Sequence, residues 1–295
     1  MIPAPPMPER GVISWNMNTN CNFRCSYCTQ RFMDDRGRWA MDIPHFLEAF
    51  ARLPGPWEIK LSGGEPFIHP NLVELVIGLS KMGIRVSLVT NLSTTESGLQ
   101  AFLAAAGENL GVFSASLHLE YVREGGRQTL DDFIDRCRLV RAHLPAMGSL
   151  CVTCVATRTN LPRLPGLRDR FKAEGIAFKI QPEKQDREVI AYTPEERAQI
   201  LGLGGHNLTG EIAHDFQGES CWAGSRYFIL DDRGNAYRCY PARRRRESFL
   251  GNLLDGGFQL GTIATLCPYP YCNCTVPIER GMMSMSRGIS PKRST

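Results

Sequence analysis

From residue 11 to residue 184, short runs rich in Val, Ile and Leu take turns with stretches whose apolar residues recur at helical spacing. The short runs read as strands: "GVISWNMNT" (11–19), "WEIKLSG" (57–63), "IRVSLVTN" (84–91), "GVFSASLHL" (111–119), "SLCVTCVAT" (149–157) and "IAFKIQP" (176–182). Between them, "DIPHFLEAFARL" (42–53), "NLVELVIGLSKM" (71–82), "ESGLQAFLAAAG" (96–107), "TLDDFIDRCRLVRAHL" (129–144) and "LPGLRDRFKAEG" (164–175) have the spacing of amphipathic helices. The strands show few polar alternations, which predicts burial on both faces. Six strands joined by crossover helices predict an α/β fold, a partial (β/α)6 TIM-like barrel with a parallel sheet.

The rhythm breaks after residue 184. "PEERAQILGLGG" (194–205) reads as a short helix ended by glycines, and "SRYFILDDRGNAYRCY" (225–240) as two strands around a "DDRGN" turn. The expected plan is an N-terminal extension (1–10), a core domain (11–190), a bridging helix (191–205), a small cysteine-rich domain holding a β-hairpin (206–280) and a loose tail (281–295).

Composition adds one feature to this picture. The 295 residues include 11 cysteines, too many for ordinary packing in a reducing compartment and too few for a disulfide scaffold. They cluster at 21, 25 and 28, at 137, 151 and 154, and at 221, 239, 267, 272 and 274. Clustered thiols without a secretory signal point to metal or redox sites. The opening "MIPAPPMPER" has no apolar run of a signal peptide, and no apolar stretch nears the roughly 20 residues of a membrane span. A cytoplasmic protein with no membrane partner is expected. The net charge of +4 demands no anionic partner. The run "ARRRRE" (242–247) could clamp phosphate but lacks the interleaved aromatics of a nucleic-acid surface, so no nucleic-acid partner is expected.

"CNFRCSYC" (21–28) falls in the loop after the first strand, at the end of a parallel barrel where ligands bind. Three thiolates cannot close a structural zinc site, but they can hold three irons of a 4Fe-4S cluster and leave the fourth open. The second strand runs into "SGGEP" (62–66). C-x3-C-x2-C after the first strand and GGEP after the second resemble the signature of the radical S-adenosylmethionine (SAM) superfamily, over about residues 11–184. The resemblance implies that Cys21, Cys25 and Cys28 ligate the cluster and that Tyr27 packs near the adenine. It also implies that Gly63, Gly64, Glu65 and Pro66 hold the methionyl amino group. Ends of later strands would face SAM and substrate, with Thr90, Asn91, Ser116, His118, Asn160 and Gln181 as candidates. Polar capping of strand ends is the plainer alternative for each.

Cys221, Gly234 and Cys239 fit C-x12-G-x4-C, and "CPYPYCNC" (267–274) follows. This is similar to the Twitch domain, the short form of the SPASM appendage of radical SAM enzymes, which holds one auxiliary 4Fe-4S cluster. Cofactors are then two 4Fe-4S clusters and SAM, with zinc the alternative at the second site. Cys221, Cys239, Cys272 and Cys274 are the expected ligands, leaving Cys267 as a candidate hydrogen-atom donor. The opposite assignment, with Cys267 a ligand, remains open. Cys137, Cys151 and Cys154 read as buried core thiols, since strand period sends 151 and 154 to opposite faces.

Family chemistry implies an electron donor such as flavodoxin or ferredoxin and a 5′-deoxyadenosyl radical. Three outcomes compete: epimerisation with a thiol donor, dehydrogenation of an alcohol or amine through the auxiliary cluster, and maturation of a peptide. A non-enzymatic iron–sulfur or zinc module is a fourth reading, disfavoured by GGEP. With only twenty residues ahead of the first cysteine, no leader-binding module of the peptide-modifying type is expected there, which favours a small-molecule substrate unless a separate protein supplies that module. The layout resembles enzymes of aminoglycoside and aminocyclitol biosynthesis, such as the neomycin-type epimerase and the butirosin-type dehydrogenase. The fifth cysteine tilts the expectation toward epimerisation of an amino sugar, with Glu120 and Glu183 as substrate carboxylates.

Overall fold

A computed structural model of the protein describes residues 5–30, 32–185, 188–203, 215–270, 272 and 276–283. Six parallel strands form the expected partial barrel: β1 (Gly11–Asn18), β2 (Trp57–Gly63), β3 (Arg85–Thr90), β4 (Leu110–Leu117), β5 (Ser149–Ala156) and β6 (Ala177–Pro182). Helices α1 (Trp39–Ala51), α2 (Leu72–Lys81), α3 (Glu96–Ala106), α4 (Leu130–Ala142) and α5 (Leu164–Ala173) make the crossovers, as the spacing predicts. A small ribbon of β7 (Lys184–Gln185) and β8 (Glu188–Val189) leads to α6 (Pro194–Leu203).

The strands are not apolar on both faces. In β1, Ile13, Trp15 and Met17 enter the helix-covered core, where Trp15 packs on Phe46 (ring centroids 4.3 Å apart) and Phe50 (5.2 Å) of α1. The alternate positions Ser14, Asn16 and Asn18 are buried and polar, and so are Glu58 and Ser62 on β2, Ser87 on β3 and Ser114 on β4. They meet one another across the strands: Ser62 Oγ donates to Asn16 Oδ1 (3.0 Å), Ser87 Oγ to Glu58 Oε1 (2.6 Å), and Ser114 and Thr153 hydroxyls lie 3.1 Å apart. The period-two alternation is therefore present, with a hydroxyl- and amide-lined lumen replacing a second apolar face.

The cysteine-rich part is fused to this sheet. After β9 (Ser220–Cys221), β10 (Tyr227–Leu230) pairs parallel with the free side of β1, with Val12 opposite Tyr227. β11 (Asn235–Tyr237) and β12 (Phe249–Asn252) continue antiparallel, giving a nine-stranded sheet. The "DDRGN" turn forms as expected: Asp231 Oδ1 accepts from the N–H groups of Arg233 and Asn235, and Gly234 takes a φ of +84°. The remaining elements are α7 (Tyr240–Arg245), β13 (Thr265–Leu266), which pairs with β9, and α8 (Val276–Glu279).

The chain after α8 closes the barrel at the start of its strands. Arg280 donates to both oxygens of Glu58 (2.9 and 3.2 Å), and Lys179 of β6 meets Glu279 at 2.9 Å. Burial alone would raise the Glu58 pKa, but the hydrogen bonds and charge of Arg280, together with Ser87, outweigh it and hold the carboxyl below its ordinary value. Arg280→Met leaves that carboxylate buried without its cation, and urea unfolding should show a loss of roughly 3 kcal/mol at pH 7. Because the folded pKa is the lower one, the pair stabilises above the unfolded-state value near 4.5 and is lost as pH falls through the folded value. The wild-type and variant stabilities should therefore converge on acidification.

Candidate active site

The loop after β1 is fastened to the turn after β2 through backbone. Gly64 N–H donates to Asn18 O (2.8 Å), Glu65 N–H to Asn20 O (2.9 Å), and Asn18 Nδ2 to Glu65 O (2.9 Å). A Cβ on Gly64 would stand 1.7 Å from Asn20 O, and one on Gly63, at φ +136°, 2.3 Å from Asn18 O. Both glycines are thus required for the segment leading into Cys21 to lie against this turn.

The side chain of Glu65 ties the same turn to β3. It is 1% exposed and accepts from Phe67 N–H (3.0 Å), Thr90 Oγ1 (2.7 Å) and Asn91 N–H (2.7 Å). Burial pushes its carboxyl up to about 7, while those three donors restrain the rise. Asn91 Nδ2 then reaches Asn22 Oδ1 (2.9 Å), so the end of β3 also holds the cysteine loop.

These strand ends enclose a cavity of about 390 Å³, within the range of small-molecule sites. Cys21, Cys25, Cys28, Tyr27, Gly63, Gly64, Glu65, Thr90, Asn91, Ser116, His118 and Gln181 all line it. Pro66 is buried and opens the turn Pro66–Ile68 instead, and Asn160, outside the lining, donates to the carbonyl of the lining residue Val155. His118 Nδ1 lies 2.8 Å from Tyr27 Oη and 3.4 Å from Cys25 Sγ. Burial lowers the imidazole to about 4, so the ring is neutral at pH 7. Burial, then Glu120, Cys28 and Cys21, raise the Cys25 thiol to about 12.

Neither acid expected to meet substrate lines the cavity. Glu120 accepts from Ser26 N–H (3.0 Å) and Ser26 Oγ, which fastens the cysteine loop from outside. Glu183 is half-buried, its carboxyl raised by burial, and its N–H donates to Tyr192 Oη (2.7 Å). The cavity's charged lining is instead Arg24 and Lys184 beside the buried Glu65. Arg24 lies over the Phe32 ring (3.5 Å), and Phe23 stacks on Tyr121 (4.1 Å). These were not singled out in the sequence, although Phe23 and Arg24 sit between the motif cysteines.

A second thiol cavity lies beside β10. It is small, about 20 Å³, and Cys221, Cys239, Cys267 and Cys272 line it together with Tyr227, Arg238 and Tyr269. Cys267 therefore stands with the group from which the spacing had set it apart, and Cys274 lies outside the described residues. Burial raises Cys239 to about 12, with Cys267 and Cys221 adding to the rise. Tyr227 connects this cavity to the lumen, its hydroxyl 3.5 Å from Ser14 Oγ of β1. Cys137 on α4 and Cys151 and Cys154 on β5 are buried and line neither cavity.

A family model described as the radical SAM superfamily matches residues 15–162, just over half of the chain. The chain belongs to the radical SAM superfamily. Over 121 residues it is 33% identical to the probable GTP 3′,8-cyclase of Methanothermobacter thermautotrophicus, covering 40% of this chain and 38% of that one. Over 175 residues it is 27% identical to the PqqA peptide cyclase of Gluconobacter oxydans, covering 56% and 45%. The chain thus spans less than half the length of both relatives. SuiB of Streptococcus suis, solved with its precursor peptide SuiA, shares the fold with a TM-score of 0.58 at 14% identity, over 85% of this chain and 65% of that one.

The residues present fit the cofactors of a radical SAM enzyme. Three thiols share one cavity, and the Phe23 N–H donates to Cys21 Sγ at 3.3 Å. At the second site Ala223 N–H donates to Cys221 Sγ at 3.4 Å, the same bond from two residues on. Such N–H···S bonds favour thiolate and tune an iron–sulfur centre. Among the described residues no three His, Cys, Asp or Glu side chains already surround a single-ion position, and no helix is long and apolar enough to cross a membrane.

Proposed function

We propose that this radical SAM enzyme oxidises a small polar molecule held in the barrel lumen between its two thiol sites. When loaded, the three-thiol site with SAM supplies hydrogen-atom abstraction and the four-thiol site a one-electron acceptor. The observation that carries the oxidative reading is the gathering of Cys267 with Cys221, Cys239 and Cys272 beside Tyr227. We read each thiol of that group as a ligand, which takes Cys267 out of the donor role that epimerisation would need. The chain's own contribution is positional. Neutral His118 holds Tyr27 against the cavity wall, Glu65 locks the ends of β2 and β3, and the Arg280–Glu58 pair shuts the far end of the lumen to water. An acidic one-electron carrier such as flavodoxin or ferredoxin is the proposed donor, and the cytoplasm the proposed compartment.

Product mass tests the reading. Turnover by the reconstituted enzyme should give a product two hydrogens lighter than its substrate. A product isomeric with its substrate, and one mass unit heavier when formed in deuterated water, would establish epimerisation instead.

A further inference from the structure

Among the described residues, one charge on the lumen wall is left without a partner. The wall's acids are engaged: Glu58 by Arg280 and Ser87, Glu279 by Lys179, and Glu65 by Thr90 and two backbone N–H groups. Lys60 is different. It stands on β2 between Glu58 and Ser62, whose partners Ser87 and Asn16 fix that face as the lumen side. Ile59 and Leu61, the alternate positions, are wholly buried against the helices. Ladder register sets Lys60 level with Ser14 of β1 and Ser87 of β3, between the 390 Å³ cavity and the Arg280–Glu58 floor. It is half-buried, and among the described residues no hydrogen bond or ion pair engages its ammonium.

We propose that Lys60 anchors an anionic oxygen of the substrate, so that the molecule entering the lumen carries a carboxylate or a phosphate. An unpaired ammonium on a polar wall favours an anion, and the neighbouring acids are already engaged, by cations at Glu58 and Glu279 and by hydrogen-bond donors at Glu65. Arg24 and Lys184 at the cavity add the same sign. This replaces the polycationic amino sugar with an anionic substrate class. It rests on the reading that the lumen holds substrate, and not on whether the outcome is oxidation or epimerisation.

The test is calorimetric titration of the reconstituted, SAM-loaded holoenzyme with succinate, inorganic phosphate and 1,3-diaminopropane. Wild type should bind one of the anions, the preferred one telling carboxylate from phosphate, and should not bind the diamine. Lys60→Gln should weaken that anion about tenfold or more, the scale of one charge-assisted hydrogen bond, and Lys60→Arg should keep it. Iron content and the electron paramagnetic resonance change on adding SAM should match wild type in all variants. Should Lys60→Gln fail to take up iron, Lys60→Met carries the same comparison. Equal anion binding by wild type and the neutral variant, no anion binding by wild type, or tighter binding of the diamine each overturns the proposal. A product of unchanged mass would sink the oxidative reading and leave the anion result standing.

Discussion

Cys267→Ala should take up about four irons per chain on reconstitution, against about eight for wild type. The expectation follows from the cavity beside β10, where Cys267 lines the same wall as Cys221, Cys239 and Cys272. On the proposed reading Cys267 is one of four ligands; its removal would open the site to solvent, and the second cluster should not survive. The three-thiol site is held by other contacts, chiefly the backbone bonds to Asn18 and Asn20 and the Ser26–Glu120 bond, and should load normally. SAM should still alter the remaining electron paramagnetic resonance signal, while product formation should disappear. A variant that keeps about eight irons and merely stops exchanging solvent deuterium would restore Cys267 as a hydrogen donor.

Gly64→Ala should lower 5′-deoxyadenosine formation with dithionite by on the order of 100-fold, the cost of displacing a catalytic arrangement by about 1 Å. The new methyl would meet the carbonyl oxygen and carbon of Asn20 at 1.7 and 2.4 Å, backbone atoms that cannot swing aside. Relief requires the segment ahead of Cys21 to move, which breaks the register between the cysteine loop and the turn after β2. The helix-covered face of the sheet is untouched, so far-ultraviolet circular dichroism should be unchanged. Gly166→Ala on α5, where a Cβ meets nothing within 4 Å, is the control and should leave SAM cleavage at the wild-type rate. Wild-type cleavage by Gly64→Ala would show that the turn and the loop are not rigidly coupled.

Much of the upper site was legible because its parts are local. The thiols lie within eight residues, GGEP within four, and each follows a strand whose apolar run marks its end. Ser116, His118 and Gln181 fell into the cavity because parallel strands deliver their final residues to one rim. Glu120 and Glu183 show the limit of that rule. Both follow strand ends, but one turns to cap Ser26 and the other lies behind the lining, and a one-residue step decides which way a side chain faces.

The alternation in "GVISWNMN" was legible but was outweighed by aliphatic density, since a lumen is indistinguishable from a second helical layer until the sheet curls. Lys60 and Arg280 depend on that closure as well. Nothing near either in sequence says that Glu58 meets a cation from the far end of the chain, or that among the described residues Lys60 meets no acid.

By itself the sequence determined the six-stranded parallel order, the place of the three thiols and that of the GGEP turn after the second strand, because these rest on periodicity and short-range geometry. Only the tertiary structure set Cys267 beside Cys221, Cys239 and Cys272 and made the hairpin an extension of the barrel sheet. It also decided that the lumen is polar, with its acids paired. Those features depend on contacts between residues tens to hundreds of positions apart, where the strand pairing of β1 with β10 sets the neighbours.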